Sequence, residues 1–151
     1  MTPEKTFIST LLNNWTGIHV CRIENTAMNG MPDINFVHKN FDAWIEAKIC
    51  KGNWVYYNKF QVAFHVNRNH RVGNCFTLAK ITDRKIGIFR LKKEDIRYGY
   101  VVANRFVKYD IRHLNMDFVY NGSALDYELK YKMLELVNGV FKKNYEQAFL
   151  K

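Results

Sequence analysis

The sequence predicts a mixed α/β fold, with helices packed on a central mixed sheet in a single domain spanning 1–151. Three observations predict it. Apolar spacing switches along the chain between the helical period and strict alternation. The resulting order is helix, strand, hairpin, helix, strand, which places helices against a central sheet. No repeat, low-complexity tract or Pro/Gly/Ser-rich linker divides the chain, and 151 residues suffice for one domain with its own core but not for two ordinary ones.

Thr2 and Pro3 form an N-cap and first-turn pair, and Phe7, Ile8, Leu11, Leu12 and Trp15 recur at helical spacing until Gly17. Segment 18–24 alternates, with Ile18, Val20 and Ile23 apolar, and reads as a strand; 25–30 reads as a loop. Segments 34–37 and 43–49 read as a hairpin joined through His38, Lys39 and Asn40, with Phe41 and Asp42. Segment 58–69, carrying Phe60, Val62, Ala63, Phe64 and Val66, reads as a helix over the sheet, broken by Gly73. Strands follow at 75–81 and 85–91, and 100–107 and 118–120 read as extended. Ser123 and Asp126 form a capping box, after which Leu125, Leu129, Met133, Leu136, Val137, Val140 and Phe141 trace the apolar face of a long helix, facing the core or a dimer partner.

Composition narrows the function classes. The hydrophobic content of 48% and charged content of 25% are those of a globular chain. No apolar run approaches the ~20 residues that span a bilayer. The N-terminal residues lack the layout of a secretory signal, so a cytoplasmic protein is expected. Cys21, Cys50 and Cys75 are odd in number and widely spaced, which argues against a disulfide framework or a zinc knuckle and for buried small hydrophobes. No phosphate-binding Gly-rich loop is present, so nucleotide-driven activity is not expected. The formal net charge is +9, and it is unevenly placed. Between Ala47 and Thr82 there is no Asp or Glu, while Lys48, Lys51, Lys59, Arg68, Arg71 and Lys80 are all cationic. Such a stretch points to a surface facing a polyanion.

The segment with chemistry is Gly30-Met31-Pro32-Asp33 followed by Trp44-Ile45-Glu46-Ala47-Lys48. In a strand Trp44, Glu46 and Lys48 share one face, and Ile45, Ala47 and Ile49 the other. A hairpin brings Asp33 opposite the Glu46–Lys48 end, so that two carboxylates converge. They make an oxygen-rich site for Mg²⁺. Such an ion neutralises a phosphodiester oxygen and acidifies water. An adjacent lysine stabilises charge on the reacting phosphate.

Gly-Met-Pro-Asp, twelve residues, then Glu-Ala-Lys resembles the PD-(D/E)xK nuclease superfamily. Arg22-Ile23-Glu24-Asn25 upstream and Gln61 downstream narrow the resemblance to VRR-NUC-type and small phage-encoded nucleases, over roughly 18–81. It implies a restriction-endonuclease-like domain with an αβββαβ core, about 1–91, and a C-terminal helical extension, about 92–151. It also implies dependence on Mg²⁺ or Mn²⁺, and cleavage of branched or flap DNA such as a Holliday junction, in recombination, repair or phage genome processing, often as a homodimer. Asp33 and Glu46 would then be metal ligands, Lys48 the catalytic lysine and Gln61 the helix residue reaching the site. An additional acid is expected at Glu24, with Glu4 its rival. Lys51, Lys59, Arg68 and Arg71 are the candidate DNA contacts.

Two other functions fit parts of the pattern: a non-catalytic nucleic-acid-binding protein using the basic face, and a restriction-like endonuclease. Trp54, Tyr56 and Tyr57 are candidates either for stacking on bases or for the core. His65 and His70 read as surface histidines of the basic helix, and Asn67-Arg68-Asn69-His70-Arg71 as a phosphate clamp.

Overall fold

A computed structural model describes residues 2–23, 30–103 and 105–149. Helix α1 (Pro3–Asn14) is followed by strands β1 (His19–Arg22), β2 (Ile34–His38), β3 (Phe41–Ile49) and β4 (Trp54–Asn58). Helix α2 (Lys59–Arg71) then leads to β5 (Cys75–Thr82), β6 (Lys85–Phe89), β7 (Tyr100–Val102), β8 (Phe106–Asp110), β9 (Phe118–Tyr120) and helix α3 (Tyr127–Phe149). Short 3-10 turns occupy Lys93–Tyr98 and Ile111–His113.

The main sheet has the order β1-β2-β3-β5-β6-β9, and a second sheet has the order β4-β8-β7. Only β3 and β5 run parallel within the main sheet. A parallel pair needs a crossover, and β4 with α2 supplies it. The αβββαβ order is therefore present with one strand inserted, and the fold is mixed α/β as the sequence predicts.

Each face of the main sheet is covered. On one face, Phe7, Ile8, Leu11 and Trp15 from α1 and Leu129, Met133 and Val137 from α3 pack on Ile34, Phe36, Ile45, Phe76 and Leu78. Thr2 Oγ1 caps α1 by accepting from Lys5 N at 3.2 Å, with Pro3 in the first turn, as the sequence reads. On the other face, α2 and the second sheet enclose a separate cluster containing Val55, Tyr57, Ala79, Phe89, Leu91 and Tyr109. Because both faces are covered, β3 is buried along most of its length and does not alternate in exposure.

Several expectations change. Residues 54–58, where the sequence marks no element before the helix, are a strand. The run 100–107 is not one extended segment but the hairpin β7–β8, with Ala103 at φ +50 in its turn. Strand β6 stops at Phe89, and the strand at the chain's first edge covers only His19–Arg22. Leu125 is 66% exposed and lies before α3 rather than on its apolar face. Ser123 and Asp126 form a turn before α3 rather than the capping box read from the sequence: Ser123 N donates to Asp126 Oδ2, but Ser123 Oγ accepts from Leu125 N. Of the cysteines only Cys75 is buried; Cys21 lies exposed on edge strand β1.

Candidate active site

The site is built outward from β3, which pairs with β2 on one side and β5 on the other. Trp44, Glu46 and Lys48 share the face that meets α2. Trp44 packs edge-on against Phe64 at 5.7 Å, and Lys48 Nζ donates to Gln61 Oε1 at 3.1 Å. Glu46 is 0% and Lys48 7% exposed.

Asp33 precedes β2. The pairing of Ile34 with Ile45 sets it beside Glu46, and its Oδ2 accepts from Ala47 N at 2.9 Å. Gly30 makes this placement possible. Its φ is +86, and a Cβ there would lie 2.3 Å from the carbonyl carbon of Phe60 in the first turn of α2. Only a residue without a side chain lets the segment before Asp33 cross that turn so closely.

A third carboxylate arrives from α1. Glu4, Asp33 and Glu46 each place an oxygen within 4.8 Å of the others. Glu24 lies outside the described residues; among those described, the third acid of the cluster is Glu4. The sequence signal for Glu4 is its spacing: Glu4, Ile8 and Leu11 follow i, i+4, i+7 and share the inward face of α1.

Gln61 joins the rest. Its Nε2 donates to Glu46 Oε2 at 3.4 Å, and its Oε1 accepts from Asn58 N at 2.9 Å as well as from Lys48. Asn58 Oδ1 in turn accepts from Gln61 N at 2.8 Å, closing a capping box at the start of α2. Lys48 Nζ also lies 3.7 Å from Glu46 Oε2.

Burial is the largest force on Glu46 and on Glu4. It pushes the Glu46 carboxyl well above its ordinary value, reinforced by the charge of Asp33 and opposed by Lys48. Burial also raises Glu4, with Lys48 opposing and Asp33 adding. Glu46 Oε1 is buried without a hydrogen-bond partner among the described residues. A crowded, desolvated set of carboxylate oxygens with one unused acceptor fits a hard divalent cation such as Mg²⁺ or Mn²⁺.

Behind Lys48 the packing is aromatic. Lys48 Nζ lies 5.0 Å from the Tyr57 ring, whose hydroxyl meets Thr77 Oγ1 at 2.7 Å. His65 packs edge-on against Tyr57 at 5.6 Å. It is fully buried, not a surface histidine, and neither ring nitrogen has a partner among the described residues. Burial first, and the charge of Lys48 second, push its pKa down to about 3, so this ring is neutral.

The candidate DNA contacts separate. Lys51 lines a cleft of about 500 Å³ that also includes Thr2, Glu4, Ile8, Arg22 and Asp33. Lys59 is exposed at the start of α2, next to the site. Arg68 and Arg71 lie at the far end of α2, with Arg68 half-buried over the rings of Trp44 and Phe64. The acid-free run is therefore not one surface, because β5 within it is largely buried. Asn69 does not belong to a phosphate clamp: its amide bridges Cys75 O, Leu91 O and Cys75 N, each at 2.9 Å.

No family model and no curated protein matches the chain. Among solved structures, the chain is similar to Hjc, a Holliday junction resolvase of the archaeal hyperthermophile Archaeoglobus fulgidus, with a TM-score of 0.49 and 18% identity over 72% of this chain and 84% of that one.

Proposed function

We propose that the chain is a divalent-metal-dependent endonuclease that hydrolyses phosphodiester bonds in DNA, with branched DNA such as a Holliday junction as its substrate class. One observation carries the reading: Glu4, Asp33 and Glu46, from three different elements, converge beside Lys48 at a cleft whose wall carries Lys51. Such crowding of carboxylates around the buried Glu46 is costly without a cation, and functional sites are where such costs collect.

Glu4, Asp33 and Glu46 would hold the metal ion, which when bound supplies charge neutralisation at a phosphoryl oxygen and acidification of water. The protein's own groups do the rest. Gln61 fixes the Lys48 ammonium through Oε1 and steadies Glu46 Oε2 through Nε2, leaving Glu46 Oε1 open. The neutral rings of Tyr57 and His65 exclude water behind the ammonium, so its charge acts in a low dielectric on the reacting phosphate. Lys51 and Lys59 sit where the backbone of DNA would enter, and Arg71 is a more distant phosphate contact.

Incubation of the protein with supercoiled and four-way-junction DNA, with Mg²⁺ or Mn²⁺ and with chelator, tests the reading. Cleavage is expected only with the ion, and is expected to disappear in Asp33→Asn and Glu46→Gln. Lys48→Ala is expected to cut on the order of a hundredfold more slowly at saturating DNA while binding close to wild type. Cleavage that persists in excess chelator would overturn the metal-dependent reading.

A further inference from the structure

The outer face of the second sheet combines exposed aromatic rings with lysines, and the core does not account for it. Trp54 and Tyr56 on β4 alternate with Val55 and Tyr57, which are fully buried on the inner face. The register sets Lys108 opposite both Tyr56 and Tyr100, and Phe106 opposite Asn58, so Trp54, Tyr56, Tyr100, Phe106 and Lys108 share the outer face. Trp54 and Tyr100 meet edge-on at 5.7 Å, and Lys108 Nζ lies 4.3 Å from the Trp54 ring. Tyr100 is 54% and Phe106 46% exposed. The single acid in these three strands, Asp110, is engaged by Arg112 through both oxygens and does not offset the lysines.

The face is continuous with the candidate active site at two points. Lys51 lines the cleft that holds Glu4 and Asp33, and its Nζ lies 5.4 Å from the Tyr56 ring. Asn58 ends β4 and caps α2 through Gln61, the residue that holds Lys48. A chain of rings and ammonium groups thus runs from the outer sheet face to the carboxylates.

We propose that this face binds an unpaired DNA strand lying beside the scissile phosphate. Bases in a duplex are already stacked on one another, whereas unpaired bases present free π faces to aromatic side chains. Lysines interleaved with the rings supply the phosphate partners, and the absence of a free carboxylate suits a polyanion. The proposal rests on the nuclease reading, and narrows its substrate to DNA with unpaired bases next to the cut.

Binding of labelled oligothymidylate and of a blunt duplex, followed by fluorescence anisotropy in chelator, separates this from the alternatives. Tyr100→Ser and Phe106→Ser, chosen because both side chains are exposed, are each expected to weaken oligothymidylate binding by about fivefold or more, and duplex binding by less than about twofold. Unchanged affinity for the single strand, or equal losses on strand and duplex, would overturn the platform. Tighter binding of oligouridylate than oligothymidylate would overturn its assignment to DNA. Tryptophan fluorescence of the unaltered fold gives a second readout: oligothymidylate is expected to quench it in the wild type and to quench it less in Trp54→Phe, and equal quenching counts against the platform. The two readings fail separately. Loss of the nuclease reading leaves strand binding in chelator intact, and loss of the platform leaves metal-dependent cleavage intact in Tyr100→Ser and Phe106→Ser.

Discussion

Lys48 and Gln61 are joined by a 3.1 Å hydrogen bond, and the accepting oxygen is the one that also closes the capping box with Asn58 N. One amide oxygen thus serves the start of α2 and the position of an ammonium on β3. Gln61→Ala is expected to cost about 1 kcal/mol of stability through the lost cap. It is also expected to slow cleavage at saturating DNA by about tenfold or more, because Lys48 is no longer aimed. Thermal melts and single-turnover rates check the two effects separately, and a variant that loses only the first shows Gln61 to be a cap alone.

Glu46 gives a pH-dependent prediction. Its folded pKa lies above the ordinary 4.5, so its contribution to metal-free stability is fully present below that value and is lost as pH rises through the folded value. At neutral pH, without divalent ions, Glu46→Gln is expected to melt higher than the wild type. A divalent ion at a hundred times its dissociation constant is expected to stabilise the wild type by about 2.7 kcal/mol and the variant by less. Glu4→Gln is expected to show the same pattern more weakly, since Glu4 is less buried than Glu46. Identical melting of all three proteins, with and without Mg²⁺, would sink the idea of a carboxylate metal site.

His65 acts on the acid side. Its folded pKa of about 3 lies below the ordinary 6.5, so the stability of the neutral buried ring is present above 6.5 and is lost as pH falls toward 3. His65→Leu is expected to flatten the acid limb of the stability curve in that window, by up to about 1.4 kcal/mol per pH unit for the one proton removed. Denaturant titrations at stepped pH measure the slope; an unchanged slope would place the titration elsewhere.

Gly30 and Gly52 form a matched pair for testing the crossing over α2. Both have positive φ, but a Cβ at Gly52 meets open space while one at Gly30 meets the backbone of Phe60 and Gln61. Each alanine variant carries a conformational cost of about 1–2 kcal/mol. Gly30→Ala is expected to lose more, and to lose cleavage as well, because the first turn of α2 must move and takes Gln61 with it. Equal melting points and equal activity would show that the close approach is unimportant.

Much of this arrangement was legible from short-range pattern. The alternation of Ile45, Ala47 and Ile49 assigned the core face of β3, and hairpin register set Asp33 near Glu46 without any tertiary knowledge. Helix α2 was legible as a helix but not in its orientation. Its inward side mixes Gln61 and His65 with Val62 and Val66, which pack on the second core cluster, while Phe60 and Ala63 face outward. Hydrophobic periodicity therefore gave no sign that His65 is buried among them. Strand β4 was hidden for a related reason: in Trp-Val-Tyr-Tyr-Asn both faces are apolar or aromatic, so no alternation marks it. The place of Glu4 depended on how α1 docks, a contact across the fold that local spacing does not encode.

Because the three clustered carboxylates come from positions 4, 33 and 46, and from α1, the start of β2 and β3, the cluster exists only once these distant segments have met. An unfolded or half-folded chain holds no comparable site, so the free energy of ion binding is added to the folded state alone. On the proposed reading, the ion would therefore latch α1. Without a divalent ion, hydrogen exchange in the first turns of α1 is expected to quicken ahead of exchange in the central strands. The enzyme we propose would then disarm itself on partial unfolding, releasing its ion before any nicking-competent fragment could persist.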